Sequence, residues 1–218
     1  MFMKLFADRA AAGRALAALL SEYLDKSDLV VLGLARGGVP VAHEVAKSLH
    51  LPFDVLIVRK LGAPGQPEYA LGAIASGGIS VMNPAAPRWL AESPAFDAEV
   101  AAQHQELKRR ELLYRGNRPA QQIKDRSVIL VDDGAATGSS MQAAVRAARK
   151  LGAREIIVAL PVASRSACDK LREEADRLVC VRIPPGFAAV GEWYEDFTQT
   201  TDQDVVDLLA SASHEQRT

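Results

Sequence analysis

An α/β fold, with a mostly parallel central sheet and helices on both faces, is predicted by three observations. Short, continuously apolar runs at 29–34, 128–131 and 156–162 lack the alternation of a one-sided strand and read as strands covered on both faces. Helical patterns alternate with them along the chain, as crossover connections require. Glycine-containing loops follow the strand ends, where open α/β sheets hold their ligands. With 218 residues, 49% apolar and 24% charged, the chain suffices for one sizeable core and is too short for several, so a single domain over 1–218 is expected.

The elements follow in order. Leu16, Leu19, Leu20 and Tyr23 stand at helical spacing within 7–24, and Asp8 is placed to cap that helix. Residues 29–34 form a strand, Ala35-Arg36-Gly37-Gly38 a tight loop, and 39–49 a helix with Pro40 in its first turn. The strand at 53–58 runs into Arg59-Lys60-Leu61-Gly62-Ala63-Pro64-Gly65-Gln66-Pro67, where Pro and Gly predict a mobile loop without regular structure. Two runs, 71–76 and 79–82, joined by Gly77-Gly78, predict a hairpin. Beyond a Pro-rich stretch at 83–94, residues 95–114 carry a long, charged helical pattern. The strand 128–131 leads into Asp132-Asp133-Gly134-Ala135-Ala136-Thr137-Gly138-Ser139-Ser140 and a helix that Gly152 stops. Strands at 156–162 and 178–183 flank a helix near 164–175, and 202–212 forms a short terminal helix.

Charge and cysteine content exclude several classes. Lys and Arg number 26 against 27 Asp and Glu, a formal charge of −1, so no global field draws nucleic acid or anionic lipid and any anion site must be local. The basic run Lys108, Arg109, Arg110 and Arg115 reads as a solvated helix face. No stretch approaches the roughly 18 apolar residues of a membrane span, and the Ala-rich start carrying Arg9 and Arg14 is no secretory core. Cys168 and Cys180 are too few for a disulfide framework or a four-thiolate zinc site, and His43, His50, His104 and His214 show no metal spacing. A cytoplasmic protein with no membrane or nucleic-acid partner is expected.

The segment 128–140 carries the chemistry. Two adjacent carboxylates at the end of a buried strand repel unless something binds them, and vicinal hydroxyls are one such partner. The small residues that follow let backbone N–H groups approach a phosphate, aided by the positive end of the next helix. Carboxylates for a sugar and amides for a phosphate suggest a ribose phosphate. A P-loop nucleotidase would need Gly-x-x-x-x-Gly-Lys-[Ser/Thr], which is absent. An ordinary cap by Asp133 would explain one acid and not both.

Val128-Ile-Leu-Val-Asp-Asp-Gly-Ala-Ala-Thr-Gly-Ser-Ser140 resembles the 5-phosphoribosyl-1-pyrophosphate motif of type I phosphoribosyltransferases. Gly33-Leu-Ala-Arg-Gly-Gly-Val-Pro40 is similar to that family's pyrophosphate loop, and the segment from Arg59 to about Tyr69 lies where its members keep a flexible lid. The resemblance orders most of 29–183, leaving the helix at 95–115 and the tail outside the shared core, with a small, variable C-terminal hood at about 184–200.

The resemblance implies a magnesium-dependent transfer of ribose 5-phosphate from 5-phosphoribosyl-1-pyrophosphate to a base-like acceptor. The other implied role is a ligand-sensing regulator of the same fold. It assigns Asp132 and Asp133 to the ribose hydroxyls, and Gly134, Ala135, Ala136, Thr137, Gly138, Ser139 and Ser140 to the 5′-phosphate loop. Arg36, Gly37 and Gly38 would hold pyrophosphate, where the family often has a non-proline cis peptide, and Lys60, with Arg59 as second choice, would neutralise it. Magnesium would be held mainly by the substrate. Tyr69, Phe187, Trp193, Tyr194 and Phe197 are the aromatics that could stack on the acceptor, and Glu192, Glu195 and Asp196 could read its edges. Two departures stand out: Gly134 replaces a usual aliphatic residue, and Ala136 replaces the Asp of 6-oxopurine enzymes, which disfavours a hypoxanthine-like mechanism. A homodimer is the family expectation.

Overall fold

The apolar runs that predict doubly covered strands lie side by side in one parallel sheet. In the computed structural model, which describes residues 5–83 and 86–215, the chain opens with α1 (Arg9–Leu19), β1 (Leu29–Leu34), α2 (Gly38–Leu49) and β2 (Phe53–Leu56). An antiparallel excursion follows: β3 (Val58–Ala63), β4 (Gln66–Ala75) and β5 (Ile79–Met82). Helices α3 (Arg88–Ala91) and α4 (Pro94–Arg115) lead back to β6 (Ser127–Val131), and α5 (Ser139–Lys150), β7 (Glu155–Val162), α6 (Arg165–Glu174), β8 (Arg177–Arg182) and α7 (Asp202–Glu215) complete the chain. The sheet order is β2-β1-β6-β7-β8 with every pairing parallel. None of the helices among the described residues is long and apolar enough to cross a membrane.

Alternate residues of each central strand enter opposite layers. Val31, Ile129 and Val131 pack with α1, α2, α4 and α7, while Val30, Leu32, Val128 and Leu130 pack with α5 and α6. Each of these strand residues is 0–3% exposed, so continuous apolarity is what a strand buried on both faces requires. Gly33 pairs with Val131, which levels the ends of β1 and β6 and releases both following loops at one sheet edge. The end of α4 is tied to β2 by a buried pair: Arg115 Nε donates to Asp54 Oδ1 at 3.0 Å and its Nη2 to the Val55 carbonyl at 2.5 Å.

One expectation is corrected. The segment 59–67 is a regular hairpin rather than an unstructured loop: β3 pairs with β4 up to Ala63 opposite Gln66. Pro64 and Gly65 occupy the two turn positions between them, with Gly65 at φ +76°, the backbone a tight turn there demands. Register shifts around Gly62 absorb the rest of the irregularity. Part of the stretch expected to form a hood is bonded to the amino-terminal residues. Leu5 and Phe6 donate their N–H groups to the Trp193 carbonyl, and Glu195 and Asp196 donate theirs to the carbonyls of Phe6 and Ala7.

Candidate active site

The loops after β1 and β6 meet with almost no space between them. A Cβ on Gly37 would stand 2.2 Å from Asp133 Oδ2, and one on Gly38 would stand 2.6 Å from the Val131 carbonyl oxygen and 2.7 Å from Asp132 Cα. Both glycines are therefore required by contact with the acid pair, not by an unusual φ. The peptide between Ala35 and Arg36 is cis. Gly134 has a comparable reason: its Cβ would meet Val190 Cγ1 at 2.6 Å and the Val162 carbonyl at 2.9 Å, so an aliphatic residue has no room here.

The helices that start in these loops differ from the others. Side chains cap α1 (Asp8), α4 (Ser93) and α6 (Ser164), and Thr201 accepts from the Asp204 N–H in the first turn of α7. In contrast α2, starting at Gly37, and α5, starting at Gly138, have no side-chain cap. The Ser139 N–H reaches the Thr137 hydroxyl at 3.4 Å and the Val39 N–H the Arg36 carbonyl at 3.1 Å; among the described residues no side chain reaches the remaining first-turn N–H groups, which with the positive dipole ends can receive an external anion. Gly138 sits at φ +77°, and the Thr137 and Ser139 hydroxyls lie 3.1 Å apart at the mouth of α5. Ala135 is pinned by its N–H to the Val162 carbonyl, and the Ala136 carbonyl accepts from Ser164 Oγ at 2.6 Å. These bonds fix the loop while Ala136, Thr137, Ser139 and Ser140 stay exposed.

The acid pair is asymmetric. Asp132 Oδ1 accepts the Asp133 N–H at 2.9 Å. Asp133 Oδ2 accepts from both Arg9 Nε and Nη2, at 2.9 and 2.8 Å, and the Asp133 carbonyl accepts the Tyr194 hydroxyl at 2.5 Å. Burial, and then the neighbouring Asp133 charge, push the Asp132 carboxyl well above the usual carboxylate range. Burial raises Asp133 too, opposed by the Arg9 guanidinium.

Lys60 and Arg59 are adjacent on β3 and so face opposite sides of the hairpin. Arg59 turns toward α4, where its Nε donates to Gln103 Oε1 at 2.7 Å. Lys60 lines a cavity of about 360 Å³ between the hairpin and α5, together with Ser139, Ser140, Arg146 and Lys170. Arg36 lies 3.6 Å from Asp202, which also accepts the Tyr114 hydroxyl at 2.7 Å and stands 3.7 Å from Arg109. Through Gln103, Arg109 and Tyr114, α4 thus supports two of the basic residues named from the sequence.

A family model for the phosphoribosyl transferase domain matches residues 5–196. The chain belongs to the phosphoribosyl transferase family. A Mycobacterium tuberculosis protein, provisionally named a phosphoribosyl transferase in strains CDC 1551 and H37Rv, is 46% identical over 211 residues, 96% of this chain and 47% of that protein. The chain spans about half the length of the curated relatives it matches. A crystal structure of a Thermus thermophilus protein is 46% identical, covers 94% of this chain and 98% of its own, and superposes with a TM-score of 0.84. A hypothetical protein from Neisseria gonorrhoeae with bound ppGpp shares the fold at 12% identity and a TM-score of 0.52, over 97% of this chain and 99% of that one.

In this phosphoribosyl transferase domain the structure brings Gly37, Gly38, Asp132, Asp133 and the 134–140 loop together and adds Arg9 to them. No local signal marks Arg9 as different from Arg14, because its partner lies 124 residues away. Tyr194 is corrected from a stacking role to a packing one. It is 1% exposed and tilted against Phe6 and Phe197. Phe197 is likewise covered, by the Arg9 guanidinium 4.0 Å above its ring. Phe187 and Trp193 stack on one another with centroids 6.5 Å apart and remain half-buried, and Tyr69 is exposed on β4.

Proposed function

We propose that this domain binds 5-phosphoribosyl-1-pyrophosphate and transfers its ribose 5-phosphate to a nitrogenous base-like acceptor, releasing pyrophosphate. The observation that carries the reading is the pressing of two uncapped, glycine-started helices against a pair of adjacent carboxylates. Helix starts suited to anions thereby lie beside carboxylates suited to hydroxyls, the two kinds of group a phosphorylated sugar presents. Breaking the bond from C1 to pyrophosphate develops positive charge on the ribose and negative charge on the leaving group. Preorganised groups of opposite sign at each end lower that barrier.

Asp132 and Asp133 take the ribose hydroxyls and face the developing cation. The α5 start, with Thr137, Ser139 and Ser140, takes the 5′-phosphate. Arg36, Gly37 and Gly38 take the pyrophosphate end, with Lys60 reaching in from the hairpin side. Among the described residues no three carboxylate, imidazole or thiolate side chains converge to hold a metal. A magnesium ion would be held mainly by the donor's own oxygens, where it would offset charge on the pyrophosphate. Phe187 and Trp193, stacked on one another and half-buried, are the aromatic pair assigned to the acceptor. At Ala136 an exposed methyl group stands where a carboxylate would assist proton transfer to a 6-oxopurine, which favours other acceptors.

The test is a screen for pyrophosphate release with common purine and pyrimidine bases, magnesium present. Release with one or more acceptors other than hypoxanthine and guanine is expected. Tight donor binding with no release from any acceptor would replace transfer with ligand sensing.

A further inference from the structure

We infer that Arg9, on the amino-terminal helix, is a positioning residue of the sugar site: it holds Asp133 by one carboxylate oxygen and leaves the other to the donor's ribose. This rests on the reading of Asp132 and Asp133 as the pair that binds the sugar.

The contacts of Arg9 are those of an anchored part, not of a surface charge. Two of its nitrogens donate to the single oxygen Oδ2 of Asp133, at 2.9 and 2.8 Å. The third, Nη1, donates to the Thr198 carbonyl at 2.7 Å, and Cζ lies 4.0 Å from the Phe197 ring centroid. The side chain is only 11% exposed. A guanidinium satisfied on three sides in this way has little freedom left, and its planar fork transmits that rigidity to the carboxylate.

The backbone around it is fixed as well. Asp8 caps α1 by accepting the Ala11 N–H at 2.7 Å. Residues 5–7 run hydrogen-bonded beside 193–196, so the start of α1 and the hood form one unit. That unit grips Asp133 twice, Tyr194 at its carbonyl and Arg9 at its carboxylate. Both hydrogen bonds from Arg9 end on Oδ2, so Oδ1 is the oxygen assigned to a ribose hydroxyl. The charged and titratable groups facing Asp133 are Arg9 from α1, Tyr194 from the hood and Asp132 beside it. Arg9 is the one cation among them, so it selects which oxygen is neutralised and which is presented.

Calorimetric titration with 5-phosphoribosyl-1-pyrophosphate and magnesium separates this inference from the reading beneath it. If the wild-type domain does not bind the donor, the sugar-site reading itself fails. If it binds, Arg9→Met should weaken binding roughly 10- to 100-fold near neutral pH, the scale of charge-assisted hydrogen bonds. Taken as a ratio to wild type at each pH, that loss should shrink as pH rises, because without the guanidinium the Asp133 carboxyl ionises only at higher pH. Added methylguanidinium should restore part of the binding, and Arg9→Lys should fall between the two. Affinity within twofold of wild type at every pH would overturn the inference. Tighter binding by Arg9→Met would overturn it too, by showing that the ion pair competes with the sugar. An equal loss at every pH, recovered neither by methylguanidinium nor by lysine, would reduce Arg9 to a structural contact. Should Arg9→Met not melt cooperatively, the pH profile of Arg9→Lys decides, unchanged affinity being the contrary result.

Discussion

Adding one methyl group at Gly38 should separate the two loops that make the site. Its Cβ would lie 2.6 Å from the Val131 carbonyl oxygen, roughly 0.8 Å inside the distance at which ordinary contact begins, and 2.7 Å from Asp132 Cα. Both neighbours are backbone, Val131 being the last residue of a strand paired on each side and Asp132 the residue that follows it, so neither can rotate away and the α2 start must shift instead. Overpacking of this kind costs about 1–3 kcal/mol. For a chain of this size that is a fall of roughly 2–12 °C in melting temperature. Gly37→Ala makes the informative contrast: its Cβ would meet the Asp133 carboxylate at 2.2 Å, and a side chain can turn aside. It should lower the melting temperature less, yet still cost donor affinity, because the displaced carboxylate leaves Arg9. Differential scanning calorimetry and donor titration on both variants check this. Unchanged melting and unchanged donor binding in Gly38→Ala would refute the claim that the loops are in required contact.

Other outcomes follow from the same geometry. Asp132→Asn should raise the melting temperature at pH 7–8, and the gain should vanish toward pH 4. The folded carboxyl sits well above its ordinary value of 3.8, so between those values the folded state keeps a proton that the unfolded chain releases, and wild-type stability falls as pH rises. A melting series over pH 4–8 that shows no difference between the two proteins would contradict it. Arg115→Met strands the buried Asp54 carboxylate and should cost about 3–5 kcal/mol in urea unfolding.

Much of this arrangement is legible in the sequence because it is local. Apolar runs mark β1, β6 and β7 since both their faces are buried, and Asp8 and Gly152 mark helix ends through backbone bonds only a few residues long. The acid pair and both glycine loops stand out for the same reason. The hairpin at 58–75 was hidden because Pro64 and Gly65, read as breakers of regular structure, are the residues a tight turn uses. The Arg9–Asp133 pair spans 124 positions and the Tyr114–Asp202 bond 88, and no periodicity encodes either. Neighbouring Arg59 and Lys60 look interchangeable until strand alternation turns one to Gln103 and the other toward Ser139 and Ser140. Tyr194 was legible as a hood aromatic, while its burial depends on Phe6 at the other end of the chain.

The most direct test of the site is donor binding by the Asp132→Asn, Asp133→Asn double variant, measured by calorimetry with magnesium beside the wild-type domain. Wild type should bind 5-phosphoribosyl-1-pyrophosphate, and the double variant, still melting cooperatively, should show no detectable binding. Intact binding by the double variant would contradict the assignment of these carboxylates to the sugar.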